Sequence, residues 1–79
     1  MVHPQGFGVR LTSREREVLA GVCAGRTAKQ IGIDLGLRPH TVEAYIDHVR
    51  MKLGANNRAH MVALAIGNDL LADGEADDQ

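Results

Sequence analysis

Seventy-nine residues allow one small domain, and a chain of that size buries only roughly 60% of its unfolded surface. Hydrophobic residues make up 44% but include one Phe, one Tyr and no Trp, so the core has to be aliphatic, and a surface for stacking RNA bases is excluded. Net charge is −1, yet residues 69–79 hold five of the ten acids and no base, which leaves residues 1–68 with nine Lys/Arg and a net of +4, a basic body compatible with phosphate binding.

Residues 1–10 contain two glycines and a proline without periodicity and read as a flexible leader, with Arg10 able to touch an anionic partner from an arm. Thr12-x-x-Glu15 is a capping-box pattern that opens a first helix at Thr12 or Ser13. Val18, Leu19, Val22 and Cys23 form its inward face, Arg14, Arg16 and Glu17 its outer one, and Gly25 closes it as a left-handed cap. The lone Cys23 has no internal disulfide partner and reads as a buried thiol of a reducing compartment.

Thr27-x-x-Gln30 repeats the capping-box pattern for a second helix running from Thr27 to Leu35, with Ile31 and Leu35 facing the core. Gly32 in mid-helix costs roughly 1 kcal/mol relative to Ala, which points to close approach by the following helix. Gly36-Leu37-Arg38 is a short turn in which Leu37 plugs the core. Two helices joined by such a glycine-containing turn make a helix-turn-helix.

The third helix runs from Arg38-Pro39 to Gly54, with a proline in its first turn and a glycine after its last. Val42, Tyr45, Ile46, Val49 and Leu53 make one apolar face, while His40, Ala44, Asp47 and Met51 make the opposite one, flanked by Glu43 and His48. Supported from behind, this helix presents a small polar front that suits the major groove of double-stranded DNA.

Asn57 caps a fourth helix expected from Arg58 to about Leu71, carrying Met61, Val62, Leu64, Ala65, Ile66, Leu70 and Leu71. Its apolar surface is wider than a core stripe requires, and Ala59, Val62, Ala63 and Ile66 are left for a partner. Residues 72–79 form an acidic tail expected to be disordered.

Leu11-Thr12-Ser13-Arg14-Glu15-Arg16-Glu17-Val18-Leu19, Gly25, Lys29-Gln30-Ile31, Leu35-Gly36-Leu37, Thr41-Val42-Glu43-Ala44, Lys52-Leu53-Gly54 and Asn57-Arg58 stand in an order and spacing that resembles the LuxR/GerE-type DNA-binding domain over residues 11–71. The sigma-factor region 4 helix-turn-helix shares the first three helices, but the Lys-Leu-Gly, Asn-Arg and fourth-helix ending favours the LuxR type.

The resemblance implies an all-α, four-helix domain whose third helix enters the major groove and whose fourth pairs with its twin to form a homodimer on a two-fold-related site. Carried over by position, Thr41, Lys52 and Lys29 look like phosphate contacts, to which Arg38, His40 and Arg50 add, and Glu43, Ala44, Asp47 and His48 look like base contacts. The chain departs from the family at Arg38, where a capping serine is common, at Ile33, commonly polar, at Tyr45, commonly histidine, and at Asp47, commonly basic or neutral.

Enzymatic activity is not expected. His3, His40, His48 and His60 lie apart from any cysteine or carboxylate at zinc spacing, and no phosphate loop or nucleophile motif is present, so no metal or cofactor is implied. With no signal peptide and no run of about 18 apolar residues, the expected location is cytoplasmic, away from membranes. The rival reading is a protein-interaction module that pairs through helix 58–71 with a larger transcription regulator, as antagonist or co-regulator, with weak or no DNA binding. RNA polymerase is a further partner considered.

Overall fold

The computed structural model describes residues 9–71. The first helix, α1 (Ser13–Cys23), starts where Thr12 closes a reciprocal cap. Its hydroxyl accepts the Glu15 N–H at 3.1 Å, and the Glu15 carboxylate accepts the Thr12 N–H at 2.9 Å. α2 (Ala28–Leu35) repeats the device with Thr27 and Gln30, so Thr27 is the cap of the helix rather than its first residue. α3 (Pro39–Leu53) has Arg38 at its N-cap without any side-chain cap bond, and α4 (Arg58–Gly67) is capped by Asn57, whose Oδ1 accepts the His60 N–H at 2.8 Å.

Each helix is closed by a chain reversal. At the end of α3, Gly54 takes φ +69°, and the N–H groups of Gly54 and Ala55 return to the carbonyls of Met51 and Arg50. α4 stops four residues short of the expected Leu71. The Asn68 amide donates to the Leu64 carbonyl, Asp69 takes φ +57°, and the Leu70 N–H donates back to the Ala65 carbonyl. Leu70 and Leu71 therefore pack on the core from a reversed chain, not as a further helical turn.

The four helices share one aliphatic core in which Val18, Leu19, Ile31, Val42, Val49 and Met61 are fully buried. Each such side chain contributes roughly 1.5–3 kcal/mol by leaving water. Tyr45 and Leu37 are half-buried against this core, and so is Cys23, whose thiol burial pushes above its ordinary pKa. α3 lies between the others, packed on α1, α2 and α4.

Gly32 serves a closer contact than helix on helix. A Cβ there would strike the carbonyl oxygen of Leu37, so the turn itself folds back over α2. Gly21 plays a matching part between α1 and α2, where a Cβ would stand 2.7 Å from Cγ1 of Ile31.

The expected leader, residues 1–10, falls outside the described residues except for Val9, which packs on the core, and Arg10, whose carbonyl accepts a bond from Lys52. The expected acidic tail, 72–79, lies outside them.

Candidate nucleic-acid interface

Val42, Ile46, Val49 and Leu53 fix the roll of α3: all are between 0% and 4% exposed and face the core. A helix of 3.6 residues per turn then has to turn His40, Ala44, Asp47 and Met51 outward, and all four are exposed. Glu43 and His48, also exposed, flank this line.

The C-terminal half of α3 is tied to α1 through Glu15, which is 3% exposed. Lys52 Nζ donates to Glu15 Oε1 at 2.7 Å and to the Arg10 carbonyl at 3.1 Å, and His48 Nδ1 meets Glu15 Oε2 at 2.9 Å. Burial pushes the Glu15 carboxyl up. The Lys52 hydrogen bond, the Thr12 N–H and the charges of Lys52 and His48 outweigh that and hold it below its ordinary value. Lys52 keeps one N–H for a phosphate, while His48 has its Nδ1 edge turned to α1.

Glu43 is drawn the other way, to Arg58 at the start of α4, at 3.1 Å. Arg50 donates to the Ala55 carbonyl at 3.1 Å, and its Nε stands 4.0 Å from Asp47. The side chains of Lys29 and Arg38 are exposed and have no hydrogen-bond or ion-pair partner among the described residues, so their charges are open to an anion. They lie in the first turn of α2 and at the N-cap of α3, where helix dipoles also favour an anion. His40 is exposed in the first turn of α3, and Thr41 is half-buried beside it.

The base-contacting set read from sequence is therefore brought to one face but divided, with Glu43 and His48 engaged by neighbours and Ala44 and Asp47 clear. Sequence reasoning missed Glu15 as an anchor, because the capping-box pattern accounts for it locally and Lys52 lies 37 residues away. It also missed the Arg58–Glu43 pair, which no local pattern announces.

On α4, Ala59, Ala63 and Ile66 are exposed and Val62 is half-buried, one stripe at helical spacing. His60 is occupied by the loop before it, its Nδ1 accepting the Asn56 N–H at 2.9 Å. Among the described residues no three His, Cys, Asp or Glu side chains gather as a metal site, and no helix is long and apolar enough to cross a membrane.

A helix-turn-helix with a supported, outward-facing second helix is the architecture of a DNA-binding domain. The chain belongs to the luxR family of bacterial regulatory proteins, whose model matches residues 9–65. It is 44% identical over 62 residues to the transcriptional activator protein BjaR1 of Bradyrhizobium diazoefficiens, covering 78% of this chain and 26% of that protein. It is 41% identical over 56 residues to the transcriptional regulatory protein FixJ of Rhizobium meliloti, covering 71% of this chain and 28% of that one. The crystal structure of the phage VqmA–DPO complex superposes with a TM-score of 0.78 at 37% identity, over 85% of this chain and 31% of that one. The chain thus spans between 26% and 31% of the length of these proteins.

Proposed function

We propose that this luxR-family domain binds operator DNA sequence-specifically as a homodimer, with α3 in the major groove and α4 against α4 of a second copy. The orientation of α3 carries the reading: its apolar stripe is spent on the core, and its opposite face stands clear. Lys29, Arg38, His40 and Thr41 hold phosphates, with Lys52 and Arg50 contributing from the C-terminal end. Glu43, Ala44, Asp47 and His48 meet or border the base edges. The exposed α4 stripe, with Ile66 at 62% exposure, supports the isologous pairing.

The same stripe supports a second reading. A chain that spans about a quarter of its relatives can pair through α4 with a larger regulator and bind DNA weakly or not at all. Gel shifts on genomic fragments at several salt concentrations separate the two. The DNA reading expects a salt-sensitive shift, with the slope of log affinity against log salt reduced by about two in the Lys29→Ala, Arg38→Ala double variant. No shift by the wild-type protein at low salt would sink it. Sedimentation tests the pairing: Ile66→Asp should move the protein from dimer to monomer, and a monomeric wild type removes the homodimer.

A further inference from the structure

The front of α3 has a donor–acceptor balance that selects among bases. His40, Ala44, Asp47 and Met51 stand in line opposite the buried stripe. The polar residues on either side each have one atom engaged, Glu43 Oε1 by Arg58 at 3.1 Å and His48 Nδ1 by Glu15 at 2.9 Å. Asp47 keeps its acceptors open: its side chain is 71% exposed, and the nearest cation, Arg50, is 4.0 Å away. Ala44 borders a shallow concavity shared with Thr41, Tyr45 and His48, and Met51 is 67% exposed.

An ionised carboxylate can only accept hydrogen bonds. The major groove offers it two base donors, the cytosine N4 amino group and the adenine N6 amino group. The adenine amino group lies between two acceptors that repel a carboxylate, its own N7 and the O4 of the paired thymine, whereas the cytosine amino group has an acceptor, guanine O6, on one side only. The apolar Ala44 and Met51 suit the methyl group of thymine. A helix rises 1.5 Å per residue, which puts them about 4.5 and 6 Å along the axis on either side of Asp47. At 3.4 Å per base pair, that is roughly one to two steps away. Arg50 beside Asp47 offsets the repulsion between this carboxylate and the DNA backbone.

We infer that Asp47 is the specificity-determining residue of α3 and selects a half-site bearing a cytosine, with thymine within about two base pairs of it. This rests on the DNA-binding reading above and names the sequence class that reading leaves open.

Selection from randomised duplexes at low salt, using the 79-residue protein and its Asp47→Ala and Asp47→Asn variants, tests it. Wild type should prefer cytosine by about tenfold at one position of each half-site. Asp47→Ala should lose that preference and keep the rest of the motif. Asp47→Asn should move it to adenine, since a carboxamide pairs with adenine N6 and N7. A wild-type motif that neither substitution alters, or a base other than cytosine at the position they do alter, overturns the inference and leaves DNA binding standing. Enrichment of no sequence, with no salt-sensitive binding by wild type, overturns the DNA-binding reading and this inference together. Both substitutions replace an exposed side chain, and an unchanged helical circular dichroism spectrum verifies the fold.

Discussion

The two ends of α3 are set in place by different physics. At the N-terminal end the constraint is backbone packing. The Leu37 N–H donates to the Gly32 carbonyl at 2.8 Å, the Leu37 carbonyl lies where a Gly32 Cβ would be, and Arg38 enters the helix without a side-chain cap. At the C-terminal end charge is added to the packing of Val49 and Leu53, which are 1% and 4% exposed. Lys52 and His48 converge on the buried Glu15, and Arg50 reaches the Ala55 carbonyl. Packing fixes where α3 begins, whatever the pH. Ion pairs fix where its far end points, and they answer to pH.

Removing the C-terminal anchor should have the largest effect. Glu15→Ala removes at once the acceptor of Lys52 and His48 and that of the Thr12 N–H, and should cost about 3 kcal/mol in urea denaturation, the sum of a charged hydrogen bond and a helix cap. A loss below about 1 kcal/mol would show that charge does not hold this end. Because the folded carboxyl is held below its ordinary value, its contribution is present in full above the unfolded pKa. It is lost as pH falls through that value towards the folded one. Thermal melts across this acid range should show a steeper loss for wild type than for Glu15→Gln.

Gly32→Ala should cost about 2 kcal/mol, since the methyl group must displace the turn backbone. Unlike the Glu15 variants, it should leave the shape of the acid limb unchanged; a flattened limb would mean that the two ends are coupled. Arg38→Ser gives the smallest change. A restored cap should add about 1 kcal/mol, while loss of an open cation lowers the salt slope of DNA binding by about one. A variant that gains stability and keeps its salt slope would remove Arg38 from the phosphate set.

Legibility in the sequence followed distance along the chain. The caps of Thr12, Thr27 and Asn57 and the reversals at Gly25, Gly36 and Gly54 were readable because donor, acceptor and backbone twist all lie within a few residues. The end of α4 was misread because Leu70 and Leu71 continue an apolar pattern that cannot distinguish another helical turn from a reversed chain covering the same core. Gly32 was understood as a close approach, but of the wrong neighbour. The face of α3 was legible from periodicity alone. How its polar side chains divide was not, because Glu15 and Arg58 come from other helices and meet it only after folding.

The Arg58–Glu43 pair has a geometric consequence. Arg58 opens α4 one residue before Ala59, so its ion pair with Glu43 joins α3 to the start of the outward stripe. For two copies paired as proposed, that junction acts as the fixed joint of a pair of calipers. The span between their tips is then set by helix geometry rather than by any base contact, and two-fold helix-turn-helix pairs meet the duplex about one helical turn apart. Shifting the stripe by a single residue would rotate the second copy by about 100° around α4 and carry its tip off the groove. In the proposed pair, operator spacing is thus set by the α4 stripe and not by the α3 face.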